Sequence, residues 1–241
     1  MKRIIVIFFL NFFLLNSNYS YSKGLYYKDK DWNIYFYDNC GFPSNKKNKK
    51  NLSWIKEKNN KFLRFQLSDK QIGKCSSDNK IRNGAPYWER AELKQKGIFK
   101  KNTSYEIRFK ARLIEGFQND YEYFFQIHGY KSMKCNSPLL FIQTKGRNKH
   151  LRLLLRRYPL DRNESVSNLI KKGSFIKYKL GTNNSRRIFV KDILNKWVDI
   201  KFLIHFKQTN GILDMYFNGE KVIENQSFDM LKCQTPHIKF G

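Results

Sequence analysis

Apolar and polar residues alternate with a period of two over much of the chain. In YEIRFKARL (105–113), Tyr105, Ile107, Phe109, Ala111 and Leu113 fall on one side and Glu106, Arg108, Lys110 and Arg112 on the other. Successive side chains of a strand point to opposite faces, so this spacing predicts a half-buried strand. VDIKFLIHF (198–206) repeats it with Ile200, Phe202, Ile204 and Phe206. GILDMYFNGEKVI (211–223) reads as strand, turn, strand, with Asn218-Gly219 supplying the positive φ angles of a tight hairpin. FLRFQL (62–67), LLFIQT (139–144) and LRLLLRR (151–157) are further strand candidates. Helical periodicity is poor, with short candidates only at 164–172 and 191–196. Many strands separated by turn signals predict an all-β domain, a β-sandwich or jelly roll.

The N-terminus departs from this pattern. Lys2 and Arg3 precede an apolar run from Ile4 to Leu15, and Ser20-Tyr21-Ser22 offers a small-x-small cleavage site. This is the pattern of a secretory signal peptide, and the run is too short to span a bilayer comfortably. Residues 1–22 are therefore expected to be a leader, and residues 23–241 a single domain. PSNKKNKKN (43–51) reads as a charged loop within it. Localisation is expected to be secreted or periplasmic, without membrane insertion, and the protein is expected to be a monomer.

Charge changes the picture next. The chain has 47 Lys and Arg against 20 Asp and Glu, a net charge of +27, or +25 without Lys2 and Arg3. Such a field attracts polyanions. Coding bias toward Lys and Asn would also raise the count, so charge alone does not choose a partner. Export favours acidic glycans, and no nucleic-acid recognition module is visible. Four cysteines, Cys40, Cys75, Cys135 and Cys233, permit two disulfides in an exported protein. No Cys or His spacing suggests a structural metal.

Three segments carry candidate chemistry. YWERAELKQ (87–95) places Arg90 and Glu92 two apart, EYFFQIHGY (122–130) does the same for Gln126 and His128, and TPHIKFG (235–241) for His237 and Lys239. Each pair shares a strand face. As neighbours, the three faces would line one groove; as isolated strands they would be wet surface, with Arg90 and Glu92 a solvated pair worth little.

The order Arg-x-Glu-Leu, Gln-x-His, Lys-x-Gly resembles the jelly-roll polysaccharide lyases, a set that includes alginate and glucuronan lyases, and most of all the heparin lyase I-like group. There Gln-x-His is followed by a segment like Ser137–Leu140, a Trp-opened strand (Trp197) and a hairpin of the kind formed by Gly211, Tyr216, Asn218, Gly219 and Val222. The resemblance covers roughly 60–241. It implies a concanavalin A-like jelly roll that cleaves an anionic, uronate-containing polysaccharide by β-elimination. Arg90 and Gln126 would neutralise the uronate carboxylate and His128 would act as general base. Lys239, His237 and Glu92 would complete the substrate-binding set, with Glu92 able to orient Arg90. No cofactor is implied, and a calcium requirement is left open. The family's last motif has tyrosine where this chain has His237, and a second tyrosine two residues past Gly241. Either the protein continues beyond Gly241 or another group acts, with Tyr130 and Tyr158 candidates by residue type and poor activity expected without an acid. With the Gln-x-His and Lys-x-Gly strands adjacent, Cys135–Cys233 would brace the site and Cys40–Cys75 would remain.

Two other classes compete with the lyase. A non-catalytic, lectin-like module for anionic glycans would use the same sandwich. A glycoside hydrolase needs two suitably spaced carboxyls, and no strand carries such an array. His205 alternates outward and reads as surface, and His150 sits in a polar loop. Trp32, Trp54 and Trp88 read as core or structural. The arginines of LRLLLRRYP fit either an anionic groove or the wet face of a strand.

Overall fold

A computed structural model of the chain describes residues 4–9, 25–29, 34–38, 52–58, 60–67, 81–82, 85–86, 92–95, 99–114, 117, 123–129, 138–144, 151–156, 175–180, 188–228, 230 and 236–241. The strands are β1 (Ile4–Phe9), β2 (Leu25–Asp29), β3 (Ile34–Asp38), β4 (Leu52–Glu57), β5 (Asn60–Leu67), β6 (Ile81–Arg82), β7 (Ala85–Pro86), β8 (Leu93–Gln95) and β9 (Thr103–Leu113). They continue with β10 (Tyr123–His128), β11 (Pro138–Thr144), β12 (Leu151–Arg156), β13 (Phe175–Lys179), β14 (Val198–Phe206), β15 (Ile212–Phe217), β16 (Glu220–Ser227) and β17 (His237–Phe240). One helical turn, Val190–Ile193, overlaps the 191–196 candidate. The 164–172 candidate lies outside the described residues, as do the 43–51 loop, Trp32, Trp88, His150 and all four cysteines.

Two antiparallel sheets form a β-sandwich of jelly-roll type. One has the order β16-β15-β14-β9-β1-β5-β4 and the other β13-β12-β11-β10-β17-β8-β3-β2; β6 and β7 pair separately. The predicted alternation is realised in β14, where Val198, Ile200, Phe202, Ile204 and Phe206 are buried and the residues between them are not. In β9 the same holds from Ile107 to Leu113. Between the sheets, the Phe125 ring lies 4.8 Å from Phe109 and 5.2 Å from Phe202, and Phe240 lies 5.1 Å from Phe109. This aromatic cluster joins the sheets at their centre. It also fixes which way their neighbours point. With Phe125 and Phe240 turned into the core, Gln126 and Lys239 must face the other side of the eight-stranded sheet.

The hairpin of β15 and β16 turns at Asn218 (φ 51°) and Gly219 (φ 84°), the left-handed pair a two-residue loop needs. The Asn218 carboxamide oxygen also accepts the Asp199 amide at 2.8 Å, tying the turn to β14. Gly211 has a different reason to be glycine, because a Cβ there would sit 2.1 Å from the Phe228 carbonyl oxygen.

The segment read as a leader enters the fold in the full chain. Ile4–Phe9 pairs antiparallel with both β5 and β9, so it occupies an interior position of the seven-stranded sheet. Among the described residues no helix is long and apolar enough to cross a membrane.

Candidate active site

Strands β10 and β17 bring two of the three sequence segments together. Gln126 registers with Lys239, and His128 with His237. Strand β8 then joins β17, with Lys94 opposite Lys239. Glu92, two residues before Lys94, shares its face. Gln126, His128, His237, Lys239, Glu92 and Lys94 thus rise from the same face of the eight-stranded sheet. Gln95 points the other way, and its buried carboxamide oxygen accepts the Ile238 amide at 3.1 Å, holding β17 in place. Arg90 lies outside the described residues, and with it the expected Arg90–Glu92 pair; so do Tyr130 and Tyr158.

Glu92 is the hub. It is 5% exposed, and one of its oxygens accepts Gln126 Nε2 at 3.3 Å and lies 3.5 Å from Lys239 Nζ. Lys239 is itself only 8% exposed. A buried ammonium needs such a partner, because removing it would leave an uncompensated charge away from water. The carboxylate also orients the Gln126 amide. Glu92, expected in the substrate-binding set and able to orient Arg90, thus contacts Gln126 and Lys239.

The two histidines lie side by side, with ring centroids 5.5 Å apart. His128 Nδ1 lies 2.8 Å from the Gly129 carbonyl oxygen. A carbonyl only accepts, so Nδ1 carries the proton and Nε2 of the neutral ring keeps its lone pair. Burial pushes the His128 pKa well below the ordinary histidine value. Lys239 adds to that, the Gly129 bond opposes it, and His237 and Lys94 lower it further. His237 is held down to about 3 by burial, then Lys94, then Lys239. Both imidazoles are therefore uncharged at neutral pH. Burial also lowers the Lys94 pKa, against the pull of Glu92.

The same face continues onto β11 and β12. Gln143 registers with Arg152, and the Gln143 carboxamide oxygen accepts from both Nε (2.7 Å) and Nη2 of the guanidinium. Arg152 is 7% exposed, so the wet-face reading of that arginine does not hold. Phe141 and Leu154, also on this face, are fully buried. Sequence reasoning missed Lys94, although Arg90, Glu92 and Lys94 continue one alternation. It did not single out Gln143, whose partner comes from the next strand.

Other residues fall away from this face. His205 bonds Ser104 through Nδ1 at 2.7 Å on the opposite sheet. Trp54 is half-buried, with Lys61 Nζ 4.8 Å from its ring. Trp197 lies under the Arg112 guanidinium at 4.7 Å. Among the described residues no group of three or more His, Cys, Asp or Glu side chains is placed to hold a metal ion.

A two-sheet sandwich with a cationic, histidine-bearing face is the class of protein that the fold and site define. The polysaccharide lyase family model matches residues 37–241, and the chain belongs to that family. No curated protein matches the sequence. Among solved structures, alginate lyase AlyC3 is similar at 16% identity with a TM-score of 0.45, covering 64% of this chain and 63% of that one. The same enzyme in complex with dimannuronate is similar at 15% identity and a TM-score of 0.34, over 64% and 66% of the two chains. The chain thus spans just under two thirds of the first structure.

Proposed function

We propose that the protein is an exported lyase that cleaves an anionic, uronate-containing polysaccharide by β-elimination. The observation that carries this is the placement of a neutral imidazole, with its Nε2 lone pair, beside a buried ammonium and a carboxamide on one sheet face. The C5 hydrogen of a uronate is poorly acidic because the adjacent carboxylate is already negative. Neutralising that carboxylate lets charge develop on it as the proton leaves. Lys239 supplies the positive charge and Gln126 an amide N–H, both held by Glu92. Arg90 would add a forked pair of donors, the role its motif implies. His128 Nε2 then takes the C5 proton, the C5–H electron pair forms the C4–C5 double bond, the C4–O bond breaks, and the departing oxygen takes a proton from water to become the new hydroxyl end.

A low pKa suits this base in one respect and costs it in another. The ring stays unprotonated over a wide pH range, but it is a weaker base than an ordinary histidine. An incoming carboxylate offsets the field of Lys239 and Lys94, which raises the pKa when substrate is bound. The test is incubation with alginate, glucuronan and heparan-type glycans while following ultraviolet absorbance of the unsaturated product. A rise that disappears in His128→Ala is expected. Binding without any rise would replace the lyase with the lectin-like module.

A further inference from the structure

Two histidines form one cross-strand pair on the eight-stranded sheet. His128 on β10 registers directly with His237 on β17, and their ring centroids are 5.5 Å apart. His128 is half-buried and gives the pair its opening to solvent, while His237 is 1% exposed. The Gly129 carbonyl oxygen accepts from His128 Nδ1 at 2.8 Å, which fixes the tautomer and leaves the lone pair on Nε2. A histidine that ligates a metal has its other ring nitrogen tied to a carbonyl or carboxylate in this way. The family motif has tyrosine at position 237, so the second imidazole is a feature of this chain. We propose that His128 Nε2 and a ring nitrogen of His237 form a two-imidazole site for a divalent transition-metal ion of the zinc or copper type, with water completing the coordination.

The spacing suits such an ion. Zinc binds imidazole nitrogen at about 2.0–2.1 Å with near-tetrahedral angles, which puts the centroids of two ligating rings about 5 Å apart. The pair already stands close to that separation. Its spacing is set by the backbone, because the two residues lie directly opposite each other on antiparallel strands. Burial holds His237 uncharged, so no proton has to leave either ring before an ion binds. The surrounding charges decide which ions fit. Lys239 and Lys94 lie one step along the face and oppose a dication, Glu92 offsets Lys239 at 3.5 Å, and Pro138 of β11, opposite His128, is uncharged. Charge attraction is weak there, and affinity has to come from metal–nitrogen bonds. Imidazole suits copper, nickel and zinc, whereas calcium and magnesium take oxygen ligands.

The ion occupies the atom assigned as base. Resting on the lyase reading above, a filled site leaves His128 Nε2 with no lone pair for the C5 proton. Metal binding thus switches the elimination off, and a chelator restores it.

The experiment titrates the full-length protein with Zn²⁺ alone by calorimetry and records the electron paramagnetic resonance of the Cu²⁺-loaded wild type. The expected result is one ion held by this pair, with two imidazole nitrogens in the copper spectrum, a readout that does not depend on any variant folding. Affinity for Zn²⁺ should fall at least about tenfold in His128→Ala and in His237→Phe, since even the loss of an outer-shell partner costs about 10–100-fold. His205→Ala, on the other sheet, should bind as the wild type does, and excess Mg²⁺ or Ca²⁺ should not displace the ion. One nitrogen or none in the spectrum, no binding of Zn²⁺, or binding that survives both substitutions would overturn the site. These readouts need no substrate, so failure of the site is distinct from failure of the lyase reading. On a polymer that the protein cleaves, Zn²⁺ at site-filling concentration should abolish the absorbance rise, and full activity with the site filled would overturn the switch.

Discussion

The outward faces of the two sheets use charge in opposite ways. On the seven-stranded sheet, cations meet carboxylates at a partly exposed surface. Arg108 lies 3.0 Å from Asp199, Lys221 lies 2.9 Å from Glu224 and 3.4 Å from Asp214, and Arg112 lies 2.6 Å from Glu57. Water screens such pairs, and each adds little to stability. On the eight-stranded sheet, Lys239, Lys94 and the Arg152–Gln143 pair share their face with one carboxylate among the described residues of β8, β10, β11, β12 and β17 and the adjoining Glu92. There charge is withdrawn from water. The difference teaches that the cations of the described residues serve two settings, one paired near the surface, the other drawn in around a single carboxylate.

The sharpest way to break this contrast is to remove the proposed base. His128→Ala is expected to lower kcat by about 10²–10⁴ with the thermal midpoint little changed. Equal loss from Asp199→Ala, on the other sheet, would show that the two faces are not distinct in function. Glu92→Ala comes next. It strands Lys239 in a buried position, and breaking a buried pair costs about 3–5 kcal/mol. Chemical denaturation read against Glu92→Gln, which keeps a polar partner for Gln126, separates lost charge from lost packing.

Acid titration probes the same dryness more gently. His128 and His237 have folded pKa values below the unfolded one, so the unfolded chain binds more protons between the two. Their contribution to stability is complete above about pH 6.5. It is lost as pH falls toward the folded values, about 3 for His237. The slope is about 1.4 kcal/mol per pH unit for each histidine. Denaturation midpoints of His237→Asn should fall less steeply with acid across this range than those of the wild type, and an unchanged slope would count against the buried neutral ring. Smallest of all, Arg108→Ala is expected to cost less than about 1 kcal/mol, since the guanidinium is largely exposed, and to leave kcat/KM unaltered.

How far this was legible beforehand depends on the range of each signal. The alternation of β9 and β14 and the Asn218-Gly219 turn are local, and the structure reproduces them nearly residue by residue. Strand β11 was found, but not that both its faces are buried from Leu139 to Thr144. Period-two reasoning expects a wet side, and only packing above the sheet removes it. The meeting of His128 and His237 joins segments distant in sequence, and nothing in either strand alone dictates that β17 should lie against β10. Family resemblance supplied that step, because it carries tertiary information that spacing does not. Arg152, read as lining an anionic groove or a strand's wet face, is buried for the same reason as β11.

The seat of β1 bears on what the sheet would lose without it. Its hydrogen-bonding edges are both engaged, one by β5 and one by β9. Removing residues 4–9 would therefore open a seam through the middle of the sheet, between β5 and β9, rather than trim a margin.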